Sequence, residues 1–458
     1  MRTTWMAGLA LAWAGCNSSH GGSGHGDAGR DSMSDSGTGG SPTANGGSAT
    51  GGRRSSDGGD SNGGVRASSG GASSGGASSG GASSGGAHPQ LDAGPPLPDP
   101  CIEGGTCPSG EWIDVTPRGV NLTGDLACGN YGTESMARDP ARASDFYTLF
   151  MCQGVWKSSD YGQTWHGPIN TGTLGSTMGD CAGGITMPPH DAGSPKLYAA
   201  CIRGNGIGFW RSTNGGVDWA RYTVEPGGAR QDFYPPVVDP YDSNHLLMPG
   251  HEMNVLVESA DGGQTWKSVA TDAGMSQDGG TAEVFFIDTG DAATTRTTFL
   301  WLGQQSTRYG TWRTTNAGGS WTRVDKNEHP HGTAQIYQPD ASGVVYMGGA
   351  YSDSGWGVLR SGDYGKTWTH VGGTGGEAVV FGTRKNVFAM SSGAVAPTDT
   401  ADPSLELAAQ PGTGTWSMPG TPTAMRIGAA QAAVANDGVH DVIVTANWGA
   451  GLWRYIDP

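Results

Sequence analysis

Short apolar stretches alternate with polar, glycine-containing turns from about residue 110 to the end of the chain. Examples of the apolar stretches are "KLYAAC" (196–201), "TTFLWLG" (297–303) and "VVYMGG" (344–349). Runs of this length, rich in β-branched and aromatic residues and bounded by Gly, Asn and Asp, are typical of β-strands. The pattern therefore predicts an all-β fold made of short antiparallel strands.

A polar octet that ends in tryptophan recurs five times in this region. The copies read "SSDYGQTW" (158–165), "STNGGVDW" (212–219), "SADGGQTW" (259–266), "TTNAGGSW" (314–321) and "SGDYGKTW" (361–368). Their tryptophans are 54, 47, 55 and 47 residues apart, and a period of this size indicates structural repeats. A strand-like phrase precedes each octet and another apolar run lies upstream, so each repeat has the strands of one propeller blade.

The octet has the chemistry of a turn. The Asp or Asn at its third position can accept hydrogen bonds from N–H groups of the turn, and the following glycine allows a positive φ. Its tryptophan anchors the next strand by burying a large ring. Because Asn replaces the acid in two copies, an exchange that a catalytic acid would not tolerate, we predict a structural role for this position. The residues concerned are Asp160, Asn214, Asp261, Asn316 and Asp363.

These octets resemble the Asp-box (BNR) repeats of sialidases, of xyloglucan-cleaving glycoside hydrolases and of related secreted propellers. The resemblance rests on five S/T-x-D/N-x-G-x-T-W units and extends from near Gly110 to the end of the chain. It implies a β-propeller, and it is more specific for fold than for function.

Extending the period along the chain closes a ring of seven blades. A degenerate turn, "GTGTWS" (412–417), follows the fifth octet, and the last unit ends at "GLWRY" (451–455) without an octet. Near the other end, "GEWIDVTP" (110–117) looks like the strand that should follow an octet, with Trp112 in the tryptophan position. We therefore predict a single seven-bladed propeller of four-stranded antiparallel blades over residues 98–458, with the N-terminal strand completing the last blade.

The segment before the propeller has a different composition. Residues 1–16 contain Arg2, a short apolar run and Cys16, and they resemble a bacterial lipoprotein signal whose cysteine is lipidated. The tripeptide "AWA" in the same segment also fits an ordinary signal cleavage site, which would release a soluble protein. Residues 17–97 are mostly Gly, Ser, Ala and Asp and predict a flexible tether. We expect an exported protein, held by lipid at the outer surface or in the periplasm, or secreted.

Charge and cysteine content narrow the environment and the partners. The formal net charge of −16 argues against nucleic acid and against an anionic membrane surface, so a lipid anchor is the expected membrane contact. Export implies an oxidising compartment in which the six cysteines beyond the signal form disulfides. Two of them lie close in sequence, and the other four allow three pairings, of which we favour the one that joins equivalent loop starts on neighbouring blades. The expected bridges are Cys101–Cys107, Cys152–Cys201 and Cys128–Cys181.

Ligand-binding groups of a propeller lie in the segments that lead into the innermost strands and in the loops between the second and third strands. The lead-in segments supply Tyr131, Glu134, Asp180, Arg230, Asp232, Tyr234, Asp278, Glu283, His329, His331, Glu377 and Arg426. The loops supply Arg203, His251, Glu252, Asn254, Arg308, Tyr309, Tyr351, Asp353, Trp356 and Trp448. We expect these residues to line one acidic funnel, with a polysaccharide or glycan as the ligand and a monomer as the binding unit.

The first functional hypothesis is a glycoside hydrolase, which needs two carboxyl groups that flank the scissile bond. The candidates are Asp180, Asp232, Glu252, Glu283 and Asp353. The sialidases carry an R-I-P motif that is absent here. The resemblance to the xyloglucan enzymes implies an Asp shortly before the first octet phrase, where this chain reads "TLFMCQGVW" with Cys152. The mechanism of neither family therefore transfers directly to this chain.

The second hypothesis is a polysaccharide lyase, in which a base removes a proton beside a uronate carboxylate that cationic groups neutralise. His251, His329 or His331 would be the base, Tyr131 or Tyr351 the acid, and Arg203 and Arg230 the clamp.

The third hypothesis is a non-catalytic glycan-binding or assembly propeller. In all three cases Tyr351, Trp356 and Trp448 are candidates for stacking on sugar rings, and polar contacts would come from Arg203, Arg230, Asn254, Arg308 and Arg426. We favour the hydrolase. No cofactor or metal is predicted, although an acidic funnel has the charge to attract a cation.

Overall fold

A computed structural model of the chain describes residue 101 and most of residues 108–458. Within that range it leaves out 125, 191–192, 194, 254, 272–274, 276–281, 304–309, 327–333, 349–356, 374–376, 392–404, 411–413, 419 and 426–427. The predicted signal (1–16), the tether (17–97) and the lipidation site Cys16 lie outside the described residues. In the described part, no helix has the length and apolar character needed to cross a membrane.

The strands form seven antiparallel sheets, which are the blades of a ring. Blade 1 contains β2 (Ala137–Arg138), β3 (Phe146–Phe150) and β4 (Gly154–Ser158). Blade 2 contains β5 (Ala182–Thr186), β6 (Leu197–Arg203), β7 (Gly208–Ser212) and β8 (Ala220–Tyr222). Blade 3 contains β9 (Val237–Asp239), β10 (Asp242–Pro249), β11 (Leu256–Ser259) and β12 (Lys267–Ser268). Blade 4 contains β13 (Ala282–Phe286), β14 (Phe299–Gly303), β15 (Gly310–Thr314) and β16 (Thr322–Arg323).

The remaining three blades complete the ring. Blade 5 contains β17 (Val345–Gly348), β18 (Val358–Ser361) and β19 (Thr369–Gly372). Blade 6 contains β20 (Glu377–Gly382), β21 (Asn386–Ser391) and β22 (Leu405–Ala409). Blade 7 contains β23 (Gln431–Asn436), β24 (Asp441–Ala446), β25 (Leu452–Asp457) and the first strand of the chain, β1 (Trp112–Asp114). Helical turns in the connections are short: Gly175–Gly179, Glu225–Gly227, Ala292–Thr295 and Thr423–Met425.

Three of the sheets have three strands, and an isolated β-bridge marks the fourth position in each of them. The bridges join Lys157 to His166 in blade 1, Tyr337 to Tyr346 in blade 5, and Leu407 to Ser417 in blade 6. The fold is therefore a seven-bladed propeller of four-stranded units, as the sequence predicts.

The N-terminal strand closes the ring. Strand β1 pairs with β25, the last strand of the chain, and places Trp112 opposite Tyr455. The two rings lie 4.9 Å apart between centroids. The predicted closure is confirmed: β1 supplies the outer strand of the last blade and pairs with the edge of β25 that would otherwise be free.

The octets form the tight turns between the third and fourth strands. In blade 5, Asp363 Oδ1 accepts from the Thr367 N–H at 2.9 Å and Oδ2 accepts from the Thr367 hydroxyl at 2.7 Å. In blade 2, Asn214 Oδ1 accepts from the Asp218 N–H at 3.0 Å, while its Nδ2 donates to the Asp218 carboxylate at 2.7 Å. An amide thus makes the same turn contact as a carboxylate, which explains why both occur at this position.

In blades 2, 4 and 7 an arginine on the third strand connects the blade to the octet turn of the next blade. Arg211 donates to the Gly262 carbonyl at 3.1 Å, and Arg313 donates to the Tyr364 carbonyl at 2.7 Å. Arg454, which is only 1% exposed, makes the equivalent bond to the Tyr161 carbonyl at 2.8 Å. Because Arg454 belongs to blade 7 and the Tyr161 turn to blade 1, this contact crosses the closure of the ring.

Apolar side chains of neighbouring sheets pack into cores between the blades. Trp266 of the third octet lies edge-on against Phe209 of blade 2, with 5.0 Å between ring centroids. Gly263 of the same octet has a φ of 82°, and a Cβ there would lie 2.1 Å from the Phe209 ring. The octet glycine therefore meets two requirements, a left-handed backbone and close approach to the neighbouring blade.

The disulfides differ from the predicted pairing. The structure contains Cys128–Cys152 and Cys181–Cys201, so the predicted bridges Cys128–Cys181 and Cys152–Cys201 are wrong. Cys201 lies on β6 opposite Gly183 of β5, close to Cys181, so that bridge forms within blade 2. Cys128 lies on the strap before blade 1 and reaches the loop after β3. Cys101 is disulfide-bonded, and its predicted partner Cys107 lies outside the described residues.

Candidate functional site

Polar side chains from blades 1, 3 and 4 meet at the face where the innermost strands begin. We call the group Glu134, Arg230, Asp232, Tyr234, His251, Glu252 and Glu283 the carboxyl cluster. Four of its members act electrostatically on a fifth, because the charges of Glu283, Glu134, Asp232 and Glu252 add to the burial that raises the pKa of Tyr234. Carboxyl groups that are far apart in sequence are thus close together in the fold.

Two carboxyl groups of the cluster hold their protons at neutral pH. Burial raises the pKa of Glu134, which is 9% exposed, to about 8. Burial, followed by repulsion from Glu134, raises the pKa of Glu283 to about 8. A carboxyl group that remains protonated near pH 7 can act as a general acid.

A third carboxyl group of the cluster is held by a cation and a histidine. The Arg230 guanidinium donates to Asp232 Oδ2 through Nε at 3.3 Å and through Nη2 at 3.2 Å. His251 Nδ1 lies 2.9 Å from Asp232 Oδ1, and the His251 ring stands edge-on to Tyr234 with 5.1 Å between centroids. Asp232 is therefore placed to orient the imidazole and to fix its tautomer.

Hydrogen bonds hold the backbone on either side of this network in an unfavourable conformation. Gln231 and Glu252 are non-glycine residues with φ of 40° and 48°, which costs on the order of 1 kcal/mol each. The Gln231 amide accepts from the Val224 N–H at 2.8 Å and donates to the Val224 carbonyl at 2.9 Å. The His251 N–H donates to the Asp232 carbonyl at 3.0 Å, so the loop is tied to the lead-in segment.

The rim of the cluster is open to solvent at one ion pair. Arg230 Nη2 lies 3.2 Å from Glu252 Oε2, and both side chains are about half exposed, at 48% and 49%. His251 Nε2 lies 4.0 Å from Glu252 Oε1. A ligand that approaches this face meets the Arg230–Glu252 pair first and the buried carboxyl groups behind it.

A second polar group lies beside the disulfides of blades 1 and 2. Arg203 hydrogen-bonds to the Tyr131 hydroxyl, and its guanidinium carbon lies 5.5 Å from the centre of the Tyr131 ring. Asp180 accepts from Asn205 Nδ2 at 2.5 Å and holds the loop between β6 and β7. Asp180, Cys128 and Cys152 bring potential ligand atoms within 4.8 Å of one another, but the two sulfur atoms are bonded together and provide no thiolate. No described contact joins this group to the carboxyl cluster.

The structure corrects one predicted sugar-stacking residue. Trp448 is 3% exposed and packs with Cys128, Met151, Ala182 and Ala430, so its indole cannot stack on a ligand. Its backbone forms a β-bridge to Thr133, which connects blade 7 to the strand before blade 1. Other predicted site residues lie outside the described residues: Asn254, Arg308, His329, His331, Tyr351, Asp353, Trp356 and Arg426.

Known proteins resemble this chain in sequence and in fold. No family model matches the chain. A xyloglucanase of Hypocrea jecorina is 26% identical over 285 residues, which are 59% of this chain and 30% of that protein. Xyloglucanase Xgh74A of Acetivibrio thermocellus is 29% identical over 171 residues, 30% of this chain and 20% of that protein. The chain thus spans a third or less of the length of these curated relatives.

The solved structures show the same type of fold. The GH74 xyloglucanase of Xanthomonas campestris superimposes with a TM-score of 0.51 and 20% identity, covering 76% of this chain and 53% of that chain. At this identity the likeness supports the propeller fold, and the function has to be argued from the site itself.

Glu134 and Tyr234 lie in predicted lead-in segments, but no catalytic role was predicted for either of them from the sequence. The one local signal for Glu134 is its position between Thr133 and Ser135–Met136, the buried residues that lead into β2. A carboxyl group in such a context is poorly hydrated, which is the condition that raises its pKa.

Proposed function

We propose that this propeller hydrolyses an extracellular polysaccharide and that the carboxyl cluster is its active site. The observation that carries the proposal is the combination of two carboxyl groups with a pKa of about 8, Glu134 and Glu283, and a third carboxylate, Asp232, in an ion pair with Arg230. Glycoside hydrolysis needs one carboxyl group as the proton donor and a second one as base or nucleophile. The similarity to xyloglucanases supports the same reaction class.

In this mechanism Glu134 or Glu283 donates a proton to the glycosidic oxygen as the bond to the leaving sugar breaks. The proton is available at neutral pH because burial favours the uncharged acid. Asp232, directly or through His251, then assists the attacking group on the other side of the sugar ring. Arg230 holds Asp232 in place through its two hydrogen bonds.

The substrate that fits best is a neutral polymer. The cluster contains four carboxyl groups and a single arginine, and the chain as a whole has a formal charge of −16. A uronate-rich polymer would be repelled by such a site, whereas a neutral β-glucan has no charge for the site to repel. The relatives named xyloglucanases point to the same class of substrate.

We further propose that the enzyme is exported and tethered through lipid on Cys16, with residues 17–97 as a spacer. The octets, which we assign to the Asp-box type, serve the fold. The disulfides Cys128–Cys152 and Cys181–Cys201 support export, because such bonds persist in oxidising compartments.

The test uses the full chain and a panel of xyloglucan, other neutral glucans, sialylated glycans and uronate-rich polymers. New reducing ends on a neutral glucan, without ultraviolet absorbance of unsaturated uronates, are expected. Asp232→Asn should abolish this activity, while Glu225→Gln, a change at an exposed glutamate in the same connection between blades 2 and 3, should leave it intact. A panel without any cleavage would contradict the proposal and favour a binding propeller.

One observation favours a lyase as the second candidate. The Asp232–His251 pair, with Tyr234 and Arg230 beside it, has the base, the hydroxyl and the cation that β-elimination uses. Absorbance that rises together with new reducing ends on a uronate polymer would establish this alternative and overturn the hydrolase.

A further inference from the structure

A second polar cavity lies at the opposite end of the innermost strands from the carboxyl cluster. It has a volume of 610 Å³ and is lined by the ends of β2, β20 and β23, with Tyr337 of blade 5. Arg138, the last residue of β2, is four positions after Glu134, so the two side chains start about 13 Å apart along the strand. A neighbouring cavity of 420 Å³ also has Arg138 in its wall. Arg138 therefore faces space on more than one side.

The charge of Arg138 is poorly compensated. Burial lowers its pKa, and Asp139 offsets this only in part. Its one hydrogen bond among the described residues is to the backbone carbonyl of Asp139, at 3.4 Å, with no carboxylate within bonding distance. A half-buried guanidinium without an anionic partner is costly, and a bound anion would offset that cost.

The cavity wall contains one more cation, Arg384, and two carboxylates, Asp340 and Asp441. Of these, Arg384 and Asp441 are paired with each other. Arg384 Nε lies 3.0 Å from Asp441 Oδ1, and its Nη2 donates to the Val439 carbonyl at 2.9 Å. The Asn436 amide is also occupied, because it donates to Asp441 Oδ1 at 2.7 Å. Among the described residues, Arg138 is therefore the cation of this wall that has no carboxylate partner.

A second donor is available in the same cavity. The Tyr337 hydroxyl accepts from Gln410 Nε2 at 2.9 Å, and within the described residues its own hydrogen has no acceptor. A planar guanidinium fork with a hydroxyl donor matches the two oxygens of a carboxylate. The volume is sufficient for a molecule of monosaccharide size.

We propose that this cavity binds a small carboxylate, with Arg138 as the main anchor and Tyr337 as a second donor. The site is separate from the carboxyl cluster and does not depend on the proposed hydrolysis. A carboxylate on a sugar ring, such as a uronic acid, fills the volume better than acetate and should bind more tightly.

The test is calorimetric titration of the full chain at constant ionic strength with four probes: D-glucuronate, acetate, D-glucose and inorganic phosphate. Saturable binding of glucuronate, weaker binding of acetate at the same site, and no binding of glucose are expected. Glucose binding equal to glucuronate, or binding of phosphate alone, would overturn the proposal.

Variants then locate the site. Arg138→Gln should weaken glucuronate binding about tenfold or more, and Tyr337→Phe about threefold, because a charge-assisted hydrogen bond is worth more than a neutral one. Arg118→Gln, at an exposed arginine after β1, is the matched control and should change nothing. Unchanged binding in Arg138→Gln refutes the site. If that variant does not fold, two other results test the site: weaker glucuronate binding in Tyr337→Phe, and competition of acetate with glucuronate on the unaltered chain. If neither result is observed, the proposed site is refuted.

Discussion

The octet turns and the carboxyl cluster both contain carboxyl groups, but the pKa is lowered in the octet turn of blade 5 and raised in the cluster. In the octet turn of blade 5, burial alone would raise the pKa of Asp363, but hydrogen bonds from Thr367, Ser361 and Lys366 lower it to about 2. In the carboxyl cluster, burial is the only cause that acts on Glu134, and its pKa rises to about 8. The surrounding donors therefore decide whether a carboxyl group caps a turn or carries a proton at neutral pH.

The largest effect is expected from removing the protonated carboxyl groups. The double change Glu134→Gln and Glu283→Gln should lower kcat on the cleaved glucan about 100-fold or more, because no general acid remains. In the unaltered enzyme the rate should fall as the pH rises through about 8, where the acid loses its proton. Activity and pH profiles of the double and single variants test this. A double variant with full activity would remove the cluster from the mechanism.

The octet turn also receives the arginine of the preceding blade, and the value of that contact should depend on burial. Arg454→Met is expected to lower the free energy of unfolding by about 3 kcal/mol, because the Tyr161 carbonyl loses its donor inside the closure of the ring. Arg211→Met is the matched change at a more exposed position and should cost about 1 kcal/mol. Denaturant unfolding of both variants measures the difference, and equal losses would contradict a special role for the closure.

A smaller, pH-dependent effect is expected at His245 in blade 3, a second histidine between carboxylates. Nδ1 lies 2.7 Å from Asp239 and Nε2 lies 2.8 Å from Glu258. Burial opposes the charge, yet these hydrogen bonds raise the pKa of His245, so its contribution to stability is full below about pH 6.5 and is lost as the pH rises through the folded value.

At low pH, protonation of Glu258 limits the contribution that His245 makes to stability. Burial would raise its pKa, but hydrogen bonds from His245 and Lys267 lower it, so its contribution is present above about pH 4.5 and is lost as the pH falls. The stability difference between the unaltered chain and His245→Gln should therefore be largest near pH 5 to 6. Thermal unfolding across pH measures it, and a difference that does not change with pH would show that the histidine is uncharged.

The smallest effect is expected in the octet itself. Asp363→Ala should cost about 1 kcal/mol, as removal of a capping side chain does, whereas Asp363→Asn should cost a few tenths because Asn214 and Asn316 serve the same turn. The carboxylate contribution should be present above about pH 4 and disappear as the pH falls towards 2. Thermal unfolding of the two variants is the measurement. A large loss of glucan cleavage in Asp363→Asn would instead assign chemistry to the octet.

The fold could be predicted from the sequence because each blade repeats the same pattern of short strands and octet turns. The octets and the orphan strand around Trp112 predict the seven blades and the closure by β1. For the site, the sequence predicted only a set of candidate positions, which included Asp232, His251 and Glu283. Which of these carboxyl groups hold protons depends on burial by other blades, and no local pattern records that.

The disulfides and Trp448 show the same limit. The equivalent loop starts on neighbouring blades favour Cys152–Cys201 as a prediction. In the structure, however, the strap with Cys128 lies beside the blade 1 loop, and Cys128 is bonded to Cys152. Trp448 looks like a rim aromatic by its loop position, but it is buried beside that strap. Sequence alone determined the repeat and its turns, because these follow from contacts between residues near in the chain, and the number of repeats with the unmatched strand at each end predicted the ring. The tertiary structure alone decided the cysteine partners, the protonated glutamates and the unpaired Arg138, because each depends on groups from distant blades that share one low-dielectric space.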